Sequence, residues 1–204
     1  MEGQDYLNQI SAKARPAKKE KNGILHSKFF IVGAIGLIGL TIIIILGAVL
    51  GSNKGGEKNL AIKLAFHLEA TADTIETYQP NIKSSGLRSN SASLKSVLLD
   101  TNKTLTDYLA EKYEFKPSKY KEISKQADKA KEALETELFE AKINGYLDRM
   151  FAQKMAYEIS MVINEETAID RKTSNTALKE ILNKSYDSLK NLYDKFNDFS
   201  EVNK

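Results

Sequence analysis

Apolar side chains follow two different patterns along this chain. In residues 29–50, FFIVGAIGLIGLTIIIILGAVL, 22 consecutive positions carry no charge. After residue 56, apolar residues instead recur at three- and four-residue steps among Lys, Glu, Ser and Asn, a pattern typical of amphipathic helices. The sequence therefore predicts an all-α protein, in which one N-terminal transmembrane helix precedes an up-down antiparallel helical bundle of four or five helices.

The uncharged run is long enough to cross a membrane. A helix over residues 29–50 extends about 33 Å, against about 30 Å for a hydrocarbon core. A buried core helix is the alternative, but such helices rarely run so long without a polar face. A cleaved signal peptide is disfavoured, because its apolar region usually spans about 7–15 residues. We therefore expect an uncleaved anchor.

Prolines divide much of the remaining chain into helices. Pro80 and Pro117 mark the ends of the first two, since the residue before a proline is pushed out of the α region. In the second helix, apolar residues from Leu87 onward fall on heptad spacing, which predicts one buried face. We expect helices at about 57–79, 87–114, 146–165 and 173–200, and another that starts at Pro117 and has apolar positions as far as Ala141.

Two boundaries in the second half stay open. Asn144-Gly145 is a turn signal, but a single glycine also fits inside a long helix, in which case residues 117–165 form one helix and the bundle has four members. Residues 164–172 are either the frayed end of the fourth helix or a connection. Because the fourth helix is the most apolar, we expect it in the middle of the bundle. Three good N-cap residues, at 173–175, begin the fifth.

Basic residues predict the orientation of the anchor. Six Lys and Arg residues precede it and three follow within 15 residues, which favours a cytoplasmic N-terminus. The lysines expected to determine this topology are Lys18, Lys19, Lys21 and Lys28. The predicted organisation is a basic, disordered cytoplasmic tail at 1–28, the anchor at 29–50, a Gly-rich hinge at 51–56, an extracytoplasmic bundle at 57–200 and a free C-terminus at 201–204.

Charge and cysteine content narrow the function classes. The formal charge of +3 belongs to the tail, which has six basic and three acidic residues, so the rest of the chain is neutral. A nucleic-acid-binding protein concentrates positive charge on its folded domain, and we therefore expect no nucleic-acid partner. The chain has no cysteine, which excludes disulfides and suggests a bacterial surface rather than a eukaryotic secretory route.

His67 is the main candidate for chemistry in the bundle. It could join Glu69, Asp73 or Glu76 in a metal site, yet the chain has no Glu-x-x-His motif, of which a di-iron bundle needs two. No Gly-x-Ser-x-Gly elbow accompanies it either, which disfavours a hydrolase. We expect a partly exposed helix histidine, no enzymatic activity, and no metal or other cofactor.

Two further groups favour packing over ligand binding. Three methionines of the fourth helix are spaced too widely for a copper site and indicate core packing: Met150, Met155 and Met161. An aromatic group brackets Pro117 and comprises Tyr108, Tyr113, Phe115 and Tyr120. We expect this group to hold the corner between the second and third helices, with a ligand pocket there as the second interpretation.

Small residues in the anchor predict contact between two membrane helices. Gly47 and Gly51 form a Gly-x-x-x-Gly motif, and Gly33, Gly36 and Gly39 add a ridge at three-residue steps. Small residues let transmembrane helices approach closely, although glycine is common in such segments anyway. A homodimer through the anchor predicts that association in detergent weakens when Gly47 and Gly51 are replaced by Ile.

These features together predict a single-pass protein of the cell membrane with its bundle outside the cytoplasm. The favoured function is a non-catalytic interaction or scaffold component of a bacterial cell envelope, with the lipid bilayer and a protein as partners. The alternative is a membrane-tethered binding domain for a small or lipid-like ligand between helices; an enzyme or a metal-binding bundle is less favoured. An apolar cavity lined by the fourth helix favours the alternative, whereas an exposed apolar patch favours interaction. We identify no family from the motifs.

Overall fold

The computed structural model describes residues 56–202, and in that range it contains five α-helices and no strand. The helices are α1 (Glu57–Tyr78), α2 (Ser85–Tyr113), α3 (Lys121–Ile143), α4 (Leu147–Asp170) and α5 (Thr176–Val202). Short 3₁₀ turns at Gln79–Asn81 and Pro117–Lys119 follow α1 and precede α3. The all-α prediction is confirmed for this part of the chain.

The predicted anchor lies outside the described residues, as do the tail, most of the hinge and the last two residues. Between residues 56 and 202, no helix combines the length and the apolar character needed to cross a membrane. The transmembrane helix at 29–50 therefore stays a prediction.

α2 begins and ends at residues that satisfy its free backbone groups. The Ser84 hydroxyl accepts a hydrogen bond of 3.3 Å from the Leu87 N–H, which is an N-cap. At the other end Glu114 adopts a left-handed conformation with φ 50°, and its N–H donates to the Ala110 carbonyl at 3.0 Å. Pro117 then opens a separate 3₁₀ turn rather than α3 itself, so α3 starts four residues later than expected.

The turn at Asn144-Gly145 separates α3 from α4. Gly145 has φ 80°, a left-handed conformation that glycine adopts without steric cost. The Tyr146 N–H donates to the Ala141 carbonyl at 3.0 Å and the Gly145 N–H to the Lys142 carbonyl at 3.3 Å, which together form a Schellman motif. The bundle therefore has five helices, and the alternative of one continuous helix over 117–165 is wrong.

α4 is longer than predicted, and α5 begins close to its predicted cap. α4 continues to Asp170, so most of the open segment 164–172 is helical, with Ile169 buried. The Asn175 side chain accepts a 3.0 Å hydrogen bond from the Leu178 N–H, and α5 follows from Thr176.

Four helices form a closed ring, and the fifth packs on its outside. α1 contacts α2, α2 contacts α5, α5 contacts α4, and α4 contacts α1, while α3 lies against α1 and α4. Residue pairs along these contacts give the directions. Asp148 at the start of α4 accepts backbone hydrogen bonds from Lys83 and Ser84, just after the end of α1, so α1 and α4 are antiparallel. Along α3, Lys131 pairs with Asp73 and the Glu135 carbonyl accepts from Tyr78, so α1 and α3 are parallel.

The most buried helix is α1, not α4 as expected. α1 buries twelve of its 22 residues because α2, α3 and α4 surround it. On α4, by contrast, the large side chains of Tyr157, Met161 and Ile163 are only half-buried. Apolar content overestimated the burial of α4, since long and aromatic side chains can cover apolar surface while their ends reach solvent.

Candidate functional site

The anchor glycines Gly33, Gly36, Gly39, Gly47 and Gly51 and the tail lysines lie outside the described residues, so their expected roles stay predictions. Candidate sites in the described chain come from the bundle.

His67 bridges two glutamates of the neighbouring helix. Its Nε2 lies 2.8 Å from Glu158 Oε2, and its Nδ1 lies 2.9 Å from Glu165 Oε2. The two glutamates are seven residues apart, two turns of α4, and so share the face that meets α1. All three side chains are largely buried, with 13–22% of their surface exposed. We call this group the His67 bridge.

Electrostatics favour the protonated form of His67. Burial pulls the pKa of His67 down, but the charges of Glu165 and Glu158 and their hydrogen bonds outweigh it, so the pKa lies well above its usual value. Both ring nitrogens then carry protons and donate to carboxylates. A protonated ring has no lone pair for a metal or a nucleophile's proton, so the bridge is suited to holding α1 against α4 rather than to chemistry.

The partners that the sequence suggested for His67 are elsewhere. Glu69, Asp73 and Glu76 are exposed, and two of them pair with lysines of other helices at 2.8 Å (Asp73) and 3.2 Å (Glu76). Among the described residues, no group of three or more His, Cys, Asp or Glu side chains could hold a metal ion. Sequence reasoning missed Glu158 and Glu165, whose only signal was their seven-residue spacing.

Glu166 is a buried acid without a partner. It is 1% exposed, and neither carboxyl oxygen has a hydrogen-bond partner among the residues that the structure describes. Burial raises the pKa of Glu166 to about 8, although the nearby Ser185 hydroxyl lowers it somewhat and Glu165 raises it further. Ser185, 2% exposed, faces Glu166 without reaching hydrogen-bond geometry, and its oxygen is also unpartnered in the described chain. An acid group in this position keeps its proton at neutral pH.

Ser185 also lines a groove on the surface of the bundle. It has a volume of about 200 Å³ and lies between α2 and α5. The lining residues are Val97, Asp100, Thr101, Thr104, Glu180, Ile181, Lys184, Ser185 and Ser188. No α4 residue lines it, so it is not the apolar cavity that the ligand-binding alternative required.

Glu57, the first residue of α1, contacts polar side chains near the C-terminal end of α2. The hydroxyls of Tyr113 and Tyr108 donate to Glu57 Oε1 at 3.0 and 3.2 Å, and Lys112 Nζ lies 3.6 Å away. Burial acts to raise the pKa of Glu57, but hydrogen bonds led by those of Thr173 and Tyr113 lower it more, so the net pKa lies below its usual value. These contacts fix the point where the chain enters the bundle.

The aromatic group around Pro117 holds more than the expected corner. Phe115 is buried and packs against Tyr120 at 5.4 Å between ring centroids, which joins α2 to the start of α3. It also meets Phe66 of α1 at 6.2 Å, while Tyr108 and Tyr113 turn toward Glu57. The group therefore ties α1, α2 and α3 together at one end of the bundle.

The three methionines of α4 differ in burial: Met155 is buried, and Met150 and Met161 are half-buried.

Three large apolar side chains are exposed around the turn between α3 and α4. Phe139 is 54% exposed, Ile143 68% and Tyr146 37%. Phe139 and Ile143 are four residues apart and share one face of α3. The Arg149 guanidinium lies over the Tyr146 ring, 5.7 Å from its centroid, and forms a cation–π contact. We call these three residues the α3–α4 patch.

Comparison of the chain with family models, with curated proteins and with solved structures finds no match in any of the three. The functional conclusion therefore rests on the residues and contacts above.

Proposed function

We propose that this protein is a single-pass membrane protein whose helical bundle lies outside the cytoplasm and acts as a non-catalytic docking component of a bacterial cell envelope. The observation that carries the docking role is the α3–α4 patch. Removing exposed apolar side chains from water is favourable, so a partner that covers them gains binding free energy. Contiguous apolar surface therefore marks protein interfaces. The membrane part of the proposal rests on the uncharged run at 29–50.

The position of the patch supports docking. It lies at the turn between α3 and α4, near the end of α1, whereas Gly56 and Glu57 lie at the start of α1. The chain thus enters the bundle at one end and carries the patch at the other. Aromatic residues and arginine are also enriched at the centres of interfaces, and Tyr146 with Arg149 supplies both.

The contacts of the bundle support a non-catalytic role. The one histidine of the described chain has both ring nitrogens engaged by carboxylates. Its neighbours on α4 therefore act as ion-pair partners rather than as a base beside a nucleophile.

Site-specific photocrosslinking in cells tests the docking role. A photoreactive residue in place of Lys142, which is exposed between Phe139 and Ile143, should form a discrete adduct with one partner protein. The adduct should disappear when Phe139→Ser and Ile143→Ser are added. The matched control places the same residue at Lys129, which is exposed on the same helix and lies between three and four turns from Lys142. An adduct that persists without the patch, or that forms equally at Lys129, contradicts the proposal.

Cysteine labelling tests the topology, because the chain has no cysteine of its own. A membrane-impermeant maleimide applied to intact cells should label Ser118→Cys, an exposed position of the bundle, and should leave Ser11→Cys in the tail unlabelled until the cells are lysed. The reverse labelling order, or labelling of neither before lysis, contradicts the predicted orientation.

A further inference from the structure

Two of the helix connections meet at the end of the bundle where the chain enters. Glu57, the first residue of α1, accepts a 3.0 Å hydrogen bond from Tyr113, the last residue of α2. Thr173, between α4 and α5, also hydrogen-bonds to Glu57 and lowers its pKa. The connection after α2 (residues 114–120) and the connection after α4 (residues 171–175) therefore both lie beside the start of α1. We call these two connections, with the start of α1, the entry end.

The entry end carries an excess of exposed positive charge. The basic residues of its two connections are all exposed and take part in none of the ion pairs of residues 56–202: Lys116, Lys119, Arg171 and Lys172. The same connections contain one acid, Glu114. The two connections at the opposite end of the bundle, residues 79–84 and 144–146, contain Lys83 and no acid. Positive charge is therefore concentrated where the chain enters.

The helix ends that adjoin these connections do not cancel this excess. They contain acids and bases in equal number: Glu57 and Lys58, Glu111 and Lys112, Lys121 and Glu122, Asp170 and Lys179. Glu57 is also engaged by Lys112 and two tyrosines, and Asp170 lies 3.6 Å from Lys179. The unpaired cations of the connections consequently determine the sign of the charge at the entry end.

The surface of the entry end matches lipid headgroups better than a protein partner. The centre of a protein interface is usually apolar and depleted of charge. The large apolar side chains exposed in the described chain are Leu99, Phe139, Ile143 and Tyr146, and none of them belongs to the entry end. Anionic headgroups instead present a polar, negatively charged surface that attracts clustered Lys and Arg close to the membrane.

The length of the chain before the bundle limits which end can reach the membrane. Leu50, the last position of the uncharged run, and Gly56 are separated by six residue steps, which extend to at most about 22 Å. The 22 residues of α1 are about 33 Å long. With the helices upright, contact through the opposite end would place Glu57 about 33 Å from the bilayer, beyond the reach of those six steps. The entry end is within that reach.

We propose that the entry end binds anionic lipid headgroups of the membrane that holds the anchor, through Lys116, Lys119, Arg171 and Lys172. The inference rests on the transmembrane part of the proposed function and adds a lipid preference that the docking role does not require. The contact holds the bundle upright, with the α3–α4 patch directed away from the membrane.

Headgroup quenching in nanodiscs tests the contact with the full-length protein. A fluorophore is attached at Ser118→Cys, between Lys116 and Lys119, in a chain without other cysteines, and the discs contain a fixed fraction of phosphatidylcholine with a quencher on its headgroup. Replacement of about one third of the other phosphatidylcholine by phosphatidylglycerol should raise the quenching at least about twofold. Salt at about 0.5 M should reverse the rise, because it screens exposed charges. The matched probe Ser89→Cys, exposed on α2 near the opposite end, should show no rise.

Charge variants assign the contact to the four basic residues. Combined replacement by Gln (Lys116→Gln, Lys119→Gln, Arg171→Gln and Lys172→Gln) should abolish the rise in quenching at Ser118→Cys. The matched control replaces four exposed lysines elsewhere on the bundle by Gln and should keep the rise: Lys83, Lys129, Lys190 and Lys195. The inference is overturned by equal quenching in the two lipid mixtures, by a rise that survives in the first variant, or by an equal rise at Ser89→Cys.

A separate measurement reports the anchor. The full-length protein should co-elute with nanodiscs of phosphatidylcholine alone in salt at about 0.5 M, since an apolar membrane span does not depend on charge. A protein that does not co-elute contradicts the transmembrane part of the proposed function, and this inference with it. A protein that co-elutes but shows no dependence of the quenching on phosphatidylglycerol contradicts this inference alone.

Discussion

Two consecutive glutamates of α4 meet opposite environments. Glu165 faces α1 and lies 2.9 Å from the His67 ring, whereas Glu166 faces α5 and is buried without a partner in the described chain. Consecutive helical residues point about 100° apart, so a single step along α4 moves a carboxyl group from the α1–α4 interface to the α4–α5 interface. The bundle thus accommodates buried acids in two ways, by pairing one with a cation and by keeping the other protonated.

The difference has energetic consequences. A charge buried with its counter-charge recovers part of its desolvation cost, and removal of one partner leaves the other exposed to the full cost. Burial of a protonated acid without hydrogen bonds costs less free energy than burial of an unpaired charge, but no partner offsets that cost in the folded state. The α1–α4 interface should therefore lose stability when its polar groups are removed, and the α4–α5 interface should gain.

The largest effect is expected for His67→Ala. The substitution leaves Glu158 and Glu165 near each other without their shared cation, and it should lower the free energy of unfolding by about 3 kcal/mol. Urea unfolding at pH 7 measures it. The matched control is Lys63→Ala, one turn earlier on α1, whose charge acts on Glu165 without a direct ion pair and which should cost below about 1 kcal/mol. Equal costs for the two variants would show that His67 is not the essential cation.

Replacement by Gln at the two neighbouring glutamates should change the free energy of unfolding in opposite directions. Glu165→Gln removes a partner of His67 and should lower the free energy of unfolding by about 1–2 kcal/mol. Glu166→Gln removes a group that ionises freely only when unfolded, and it should raise stability at pH 7 by about 2 kcal/mol. Urea unfolding of both variants beside the wild type makes the comparison, and two destabilised variants would contradict the difference between the interfaces.

The pH dependence of stability should separate the two groups. The folded protein holds the Glu166 proton up to about pH 8, while the unfolded chain releases it near the ordinary glutamate pKa of 4.5. Between these values the folded state binds more protons, so stability falls as pH rises, by at most about 1.4 kcal/mol per pH unit. His67 acts in the same direction but higher, because its contribution is complete below its unfolded value of 6.5 and is lost as pH rises through its raised folded pKa.

Stability measured from pH 5 to pH 9 checks this assignment. Glu166→Gln should flatten the profile mainly between pH 5 and 8, and His67→Ala should flatten it mainly above pH 6.5. A wild-type profile that rises across pH 5–8 would show that other groups dominate the linkage.

Local signals explain which parts of this fold were predictable from sequence. Pro80, Gly145 and the N-cap Asn175 act on the backbone next to them, and the helix boundaries that they indicated agree with the structure to within a few residues. Heptad spacing counted from Leu87 also predicts the buried face of α2 as far as Leu105, but its next position is Tyr108, whereas the structure buries Leu109. A helix of 3.6 residues per turn drifts away from a strict heptad over that length.

The sites depend on which helices are neighbours, and the arrangement of the helices could not be predicted from the sequence pattern. His67 was compared only with acids of its own helix, because nothing in the pattern indicates that α1 adjoins α4. The orientation of Glu166 was equally hidden, since a glutamate at residue 166 reads as part of a polar helix end until α4 is known to continue to Asp170. Nor was the exposure of Phe139 and Ile143 predicted, although both are more than half exposed in the structure.

The smallest effect is expected from two buried serines that differ only in their partners. Ser185→Ala removes a hydroxyl without a hydrogen-bond partner in the described bundle, and it should raise stability by about 0.5 kcal/mol because no bond is lost and a buried polar atom disappears. Ser91 on α2 is equally buried, but its hydroxyl donates to the Leu87 carbonyl at 2.7 Å, so Ser91→Ala should lower stability by about 0.5–1 kcal/mol. Parallel urea titrations resolve differences of this size when both variants share one wild-type reference. If Ser185→Ala destabilises the protein as much as Ser91→Ala does, the Ser185 hydroxyl has a hydrogen-bond partner in solution. The polar groups of the α4–α5 interface then form more hydrogen bonds than the contacts of the structure indicate.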